Sequence, residues 1–165
     1  MKVIPALVRD IYQTVLTISE LSPADYVLYY KRATANYSLN RHQQALADFD
    51  HVLSLTSDTF DKAYLMKARI HAKEGKFVAA KEAIRKYHAK VKNDPAVQEV
   101  MMTISEGEMA IKKAVQAKKA KLWQACSEAA STALATASYS TDLRLLRADC
   151  ALASGDIESA IGDFT

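Results

Sequence analysis

Apolar residues recur along this chain at the three- and four-residue spacing of amphipathic helices, punctuated by small residues at longer, regular intervals. Ile11, Val15, Ile18 and Leu21 form one such stripe, closed by Ser22-Pro23. Beyond it, Ala45, Ala80, Cys126 and Ala160 mark the same point of a unit recurring at spacings of 35, 46 and 34 residues. Four residues after each marker comes Phe49, Ile84, Ala130 or Phe164, and twelve before it lies a second small residue, Ala33, Ala68, Ala114 or Ala148. Leu39-Asn40, Glu74-Gly75, Ala120-Lys121 and Ser154-Gly155 fall five to six residues ahead of the markers, where a helix-to-helix turn belongs. The spacing predicts antiparallel helix pairs. Small residues let the two helices of a pair approach, and bulky ones such as Tyr29 and Tyr64 fill the gaps between neighbouring pairs.

The whole pairs are expected at 24–39 with 41–55 and at 61–73 with 76–90, with Asp61 as an N-cap and Gly75 as a C-terminal stop. The spacing of 46 exceeds that of 34 by twelve residues, inserted where Gly107 is the sole helix breaker. After the cap and first-turn proline of Asn93-Asp94-Pro95, residues 96–120 are expected to run as one helix of about seven turns. A last unit starts at Thr141-Asp142 and turns at Ser154-Gly155-Asp156. The units are therefore 1–22 (the second helix of an incomplete repeat), 24–57, 61–92, 94–138 with an elongated first helix, and 141–165 (incomplete). This is the tetratricopeptide pattern, and it implies an all-α, right-handed superhelical array of antiparallel helix pairs.

Composition agrees with long helices joined by short corners: 165 residues hold only four glycines and three prolines, half the residues are hydrophobic and a quarter are charged. A net charge of +3, evenly spread, does not point to nucleic acid. No run of eighteen apolar residues occurs, so no membrane insertion is expected. Residues 1–8 are too brief for a secretory signal, and on their own read as the start of a cytosolic chain. Cys126 and Cys150 occupy small-residue positions of the repeat and are expected as buried thiols rather than as a disulfide.

Candidate chemistry is sparse. His42, His71 and His88 have no metal-ligand spacing among themselves or with His51, the four glycines sit singly, and no nucleophile elbow or phosphate loop occurs. Carboxylates such as Asp48 and Asp50 stand two apart and point in different directions on a helix, so no acid–base pair is implied. No enzyme and no cofactor are expected. Trp123, three residues before Cys126, takes an aromatic packing position. Lys112, Lys113, Lys118, Lys119 and Lys121 form the one notable charge run, read as the solvated face of a long helix.

Beyond the repeat, the text Tyr29-Tyr30-Lys31-Arg32-Ala33-Thr34, Ala45-Leu46-Ala47-Asp48-Phe49-Asp50, Lys73-Glu74-Gly75-Lys76-Phe77 and Leu143-Arg144-Leu145-Leu146-Arg147-Ala148-Asp149-Cys150 is distinctive. It resembles the endoplasmic-reticulum co-chaperones that join a tetratricopeptide array to a J domain, particularly their fungal members. The resemblance implies an array that holds unfolded or misfolded polypeptides, in the endoplasmic reticulum lumen, for a BiP-type chaperone reached through the J domain. The His-Pro-Asp triplet that J domains need is absent from these residues, since no histidine precedes a proline. Arrays of this kind present the inner faces of their first helices to clients, which here carry Leu28, Tyr30, Tyr37, Leu65, Met66 and Arg69. An open, apolar hollow is expected there. The carboxylate clamp that some arrays use to grip an acidic chaperone tail is missing, because its positions hold Tyr30, Thr34, Met66, Glu108 and Lys112. The competing expectation is a scaffold that docks one folded partner, for instance through the lysine face at 112–121.

Overall fold

The computed structural model describes residues 24–164, so the stripe at 11–21 and the unit at 1–22 lie outside the described residues. Eight helices follow in order: α1 (Tyr26–Ser38), α2 (His42–Leu55), α3 (Asp61–Lys73), α4 (Phe77–Lys90), α5 (Pro95–Lys119), α6 (Trp123–Thr136), α7 (Thr141–Ser154) and α8 (Ile157–Phe164). Each packs on the next in sequence, as a stack of neighbour-to-neighbour contacts requires, and α3 also touches α5.

The corner inside every pair is built the same way. Asn40, Gly75, Lys121 and Gly155, each five residues before a marker, have φ of 58°, 75°, 57° and 86°. The next residue's N–H then reaches back to a carbonyl near the end of the helix: Arg41 to Asn36 (2.8 Å), Lys76 to His71, Leu122 to Ala117 and Asp156 to Ala151 (each 2.9 Å). This satisfies carbonyls that the helix end leaves open and reverses the chain in three residues. Glycine takes the left-handed conformation without strain at two of the corners, and asparagine tolerates it at the third. Lys121 holds it at a cost of about 1 kcal/mol.

The helix starts are capped where the chain offers a suitable side chain. Asp25 and Asp94 accept from Val27 and Ala96 N–H at 2.9 Å, and Pro95 occupies the first turn of α5, where its missing N–H costs nothing. Asp61 is not a cap: Phe60 takes that place without a side-chain bond, and Asp61 sits in the first turn, 3.3 Å from Lys90 Nζ.

All eight small-residue positions are fully buried. Around them Phe49, Val52, Ile70 and Ile104 are buried to within 2% and supply the bulk of the interior, each contributing about 1.5–3 kcal/mol. Tyr64 is buried with its hydroxyl 3.0 Å from Asp58, whereas Tyr29 is half-buried against His51. Trp123 is likewise half-buried.

Gly107 does not break α5. It is a buried notch in which the Phe77 ring rests, and a Cβ built there overlaps the ring's tip. Gly107→Val should therefore destabilise the protein by about 1–3 kcal/mol through overpacking, although glycine is itself a poor helix former. Thermal unfolding checks this, and a valine variant as stable as the parent would show that Phe77 does not depend on the notch.

Cys126 on α6 and Cys150 on α7 are joined by a disulfide, with Cα atoms 6.0 Å apart, and both are fully buried. The expectation of two separate thiols is thus corrected. The small-residue position in the second helix of one unit, Cys126, faces the residue two past the small-residue position Ala148 in the next unit's first helix, Cys150. Two cysteines placed there meet within bonding reach.

Candidate protein-binding surfaces

Between the inner faces of α1, α3 and α5 lies a hollow of about 300 Å³, lined by Tyr37, Arg69, Ala72, Lys73, Glu99, Val100, Thr103 and Thr136. Of the six residues expected to receive clients, only Tyr37 and Arg69 reach it. Arg69 Nη2 lies 3.3 Å from Glu99 Oε2, and Lys73 Nζ stands 4.9 Å from the centre of the Tyr37 ring. The expected greasy hollow is in fact walled by charge. Tyr30 is turned into an aromatic cluster with Phe49 and Phe60, at centroid distances of 5.8 and 4.9 Å. Leu65 and Met66 pack partly buried on the core, and Leu28 is half-buried outside the hollow's lining.

Two distant corners meet at Lys73, which also lines this hollow. Tyr139, between α6 and α7, donates its backbone N–H to Lys73 O at 2.9 Å and sets its ring edge-on to buried His42, 4.5 Å away. Ser140 packs against Gly75. His42 and His71 both lie near Glu74, with Nδ1 to carboxylate distances of 3.8 and 3.9 Å. Burial pushes both imidazoles below their usual range, against the pull of Glu74. At the α4–α5 corner the Tyr87 hydroxyl donates to Asp94, which pushes the phenol up to about 12. Tyr87 and Asp94 partner each other, whereas His42 Nε2 and His71 Nδ1 are buried without a hydrogen-bond partner. Among the described residues, no three His, Cys, Asp or Glu side chains are placed to hold a metal ion. None of the described helices is long and apolar enough to cross a membrane.

The open apolar surface lies elsewhere, between α4 and α5. A cleft of about 690 Å³ is lined by Val78, Ile84, Val97 and Met101 together with Lys81, Glu82, Arg85 and His88. It meets a second depression of about 540 Å³, lined by Phe77, Val78, Ile111 and Val115 with Gly75, Glu108, Lys112, Gln116 and Lys119. Val78 belongs to both and is 83% exposed, and Met101 is 41% exposed. Lys81 Nζ crosses from α4 to both oxygens of Glu108 at 2.7 and 2.6 Å.

Helix geometry explains the trough. The twelve additional residues of α5 lengthen it by about 18 Å, so the pair that follows is carried along the helix instead of closing over α4. Val97, Met101, Ile104, Glu108, Ile111 and Val115 follow one another at steps of four, three, four, three and four. That stripe is the sequence signal for the trough.

No family model matches the chain. Among characterised proteins it is 40% identical, over 88% of its length, to the tetratricopeptide repeat and J domain-containing co-chaperone DNJ1 of Cryptococcus neoformans. It is 40% identical over 86% to the protein of the same name from Fusarium oxysporum, and 30% identical over 86% to DnaJ homolog subfamily C member 3 of Mus musculus. The chain spans 28%, 26% and 29% of these relatives, respectively. In fold it matches the crystal structure of the P58(IPK) TPR domain with a TM-score of 0.81 and 24% identity, over 95% of this chain and 44% of that one. The chain has the fold of a tetratricopeptide-repeat array and is similar in sequence to part of the TPR and J domain-containing co-chaperones.

Proposed function

We propose that this array holds non-native polypeptide segments for a J-domain co-chaperone, and that the trough between α4 and α5 is where they lie. The observation that carries the proposal is the exposure of Val78 and Met101 over an apolar floor of Ile84 and Val97. An unfolded chain offers apolar side chains without a defined sequence, and a flexible thioether beside β-branched residues gives contact area that adapts to them. The polar hollow around Tyr37 and Arg69 lacks such surface. The endoplasmic reticulum lumen is the proposed compartment, supported by the Cys126–Cys150 disulfide, because such bonds persist in oxidising surroundings. Delivery to a BiP-type chaperone would run through a J domain, since these residues contain no His-Pro-Asp triplet.

The test is suppression of aggregation of several unrelated denatured proteins. Val78→Ser combined with Met101→Ser should weaken suppression several-fold at unchanged helicity, while Tyr37→Ser leaves it intact. Suppression that survives the double change in a folded protein would move the client site away from α4 and α5.

A further inference from the structure

We infer that the trough selects polypeptide segments whose apolar anchors are flanked by carboxylates. The inference rests on the client-holding reading above and adds the chemical class of the client. It follows from the charges around the apolar floor. Two carboxylates line the trough, and each already has a lysine of this chain: Glu108 with Lys81, and Glu82 with Lys86 at 4.0 Å. The exposed cations Arg85, on the first depression, and Lys112 and Lys119, on the second, have no carboxylate within ion-pair distance among the described residues. Both halves of the trough therefore pair an apolar floor with unneutralised positive charge.

A bound segment with basic flanks is repelled at both ends, and one with acidic flanks is attracted at both. Three solvent-facing pairs, each contributing a few tenths of a kcal/mol to about one, amount to roughly tenfold in affinity at low salt. That preference should fade as salt screens it, while the apolar contribution remains. Lys81 lines the first depression and Glu108 the second, so their bridge lies where the two meet. The segment that fits both therefore has two apolar anchors, with its polar middle crossing the bridge.

Two fluorescently labelled peptides, with identical leucine anchors and either glutamate or lysine flanks, provide the test by anisotropy at low and high salt. The glutamate-flanked peptide should bind roughly tenfold more tightly at low salt, with most of the difference lost at high salt. Arg85→Gln, Lys112→Gln and Lys119→Gln together should erase the difference, whereas Val78→Ser with Met101→Ser should weaken both peptides. Equal binding of the two peptides, or a preference that survives the triple change, overturns the charge selection and leaves the trough as a client site. Failure of both peptides to bind overturns the client-holding reading as well. Undiminished binding of a glutamate peptide whose anchors are serine also overturns the inference, because the apolar floor would then play no part.

Discussion

Asp48→Ala is expected to destabilise the first helix pair by about 3 kcal/mol or more, one of the two largest losses expected from a single change in this protein. Asp48, nearly buried on α2, receives both forks of Arg32 from α1: Nε to Oδ2 at 2.9 Å and Nη2 to Oδ1 at 2.6 Å. The amide of Asn36, itself 2% exposed, adds a third bond at 3.3 Å. Truncation takes the carboxylate from a part-buried guanidinium and leaves the amide of Asn36, 2% exposed, without its acceptor and shielded from water. The cost comes from orphaned groups rather than from the intrinsic strength of the pair. Arg32→Met with Asp48→Leu should therefore recover most of what Asp48→Ala loses. Urea unfolding followed by circular dichroism measures both, and a loss below about 1 kcal/mol for Asp48→Ala would show that the clasp contributes no more than a surface ion pair.

The clasp recurs. Arg147 on α7 makes the same two-pronged contact with Asp163 on α8, with Nε to Oδ2 at 2.7 Å. In both pairs the arginine stands one residue before the first small residue and the aspartate three after the marker, sixteen residues later. Arg-Ala and the Asp-Phe that follows sixteen residues on were therefore a readable signal. The corresponding positions of the other two units, Lys67 with Ala83 and Lys113 with Ala129, cannot make it. Only the first and last described pairs are pinned this way.

How far the sequence reaches is set by what its period encodes. The spacing of Ala33, Ala45 and their counterparts reports where two helices of a pair touch, and each such position proved fully buried with a left-handed residue in each corner. The length of α5 was equally readable from the wider spacing. The same period does not say which flank a lengthened helix leaves open. The expected client residues were drawn from the inner faces of α1 and α3, yet Tyr30 is spent on the Phe49–Phe60 cluster and Arg69 on Glu99. Gly107 read as a possible breaker because composition carries no information about the ring packed over it. The disulfide escaped for a related reason. A separation of 24 residues says nothing of proximity until the stacking of α6 on α7 is known.

That disulfide carries the second large expected effect. Reducing it, or replacing Cys150 with alanine, should lower stability by about 3 kcal/mol in the loop-closure account, given a closed loop of 24 residues. The loss should not be shared evenly. A stacked array is held by nearest-neighbour contacts, so removing a link between α6 and α7 loosens α7 and α8 first and leaves α1–α4 protected. Hydrogen exchange should accordingly show faster opening in 141–164 of the reduced protein, with little change in 26–55. The Cys126→Ala and Cys150→Ala double variant should behave like the single one, because the bond is the shared object of both changes. Two titratable thiols in the oxidised, folded protein would overturn the assignment. Uniform loosening of all eight helices on reduction would show instead that the stack unfolds as one unit, with the staple acting on the whole of it.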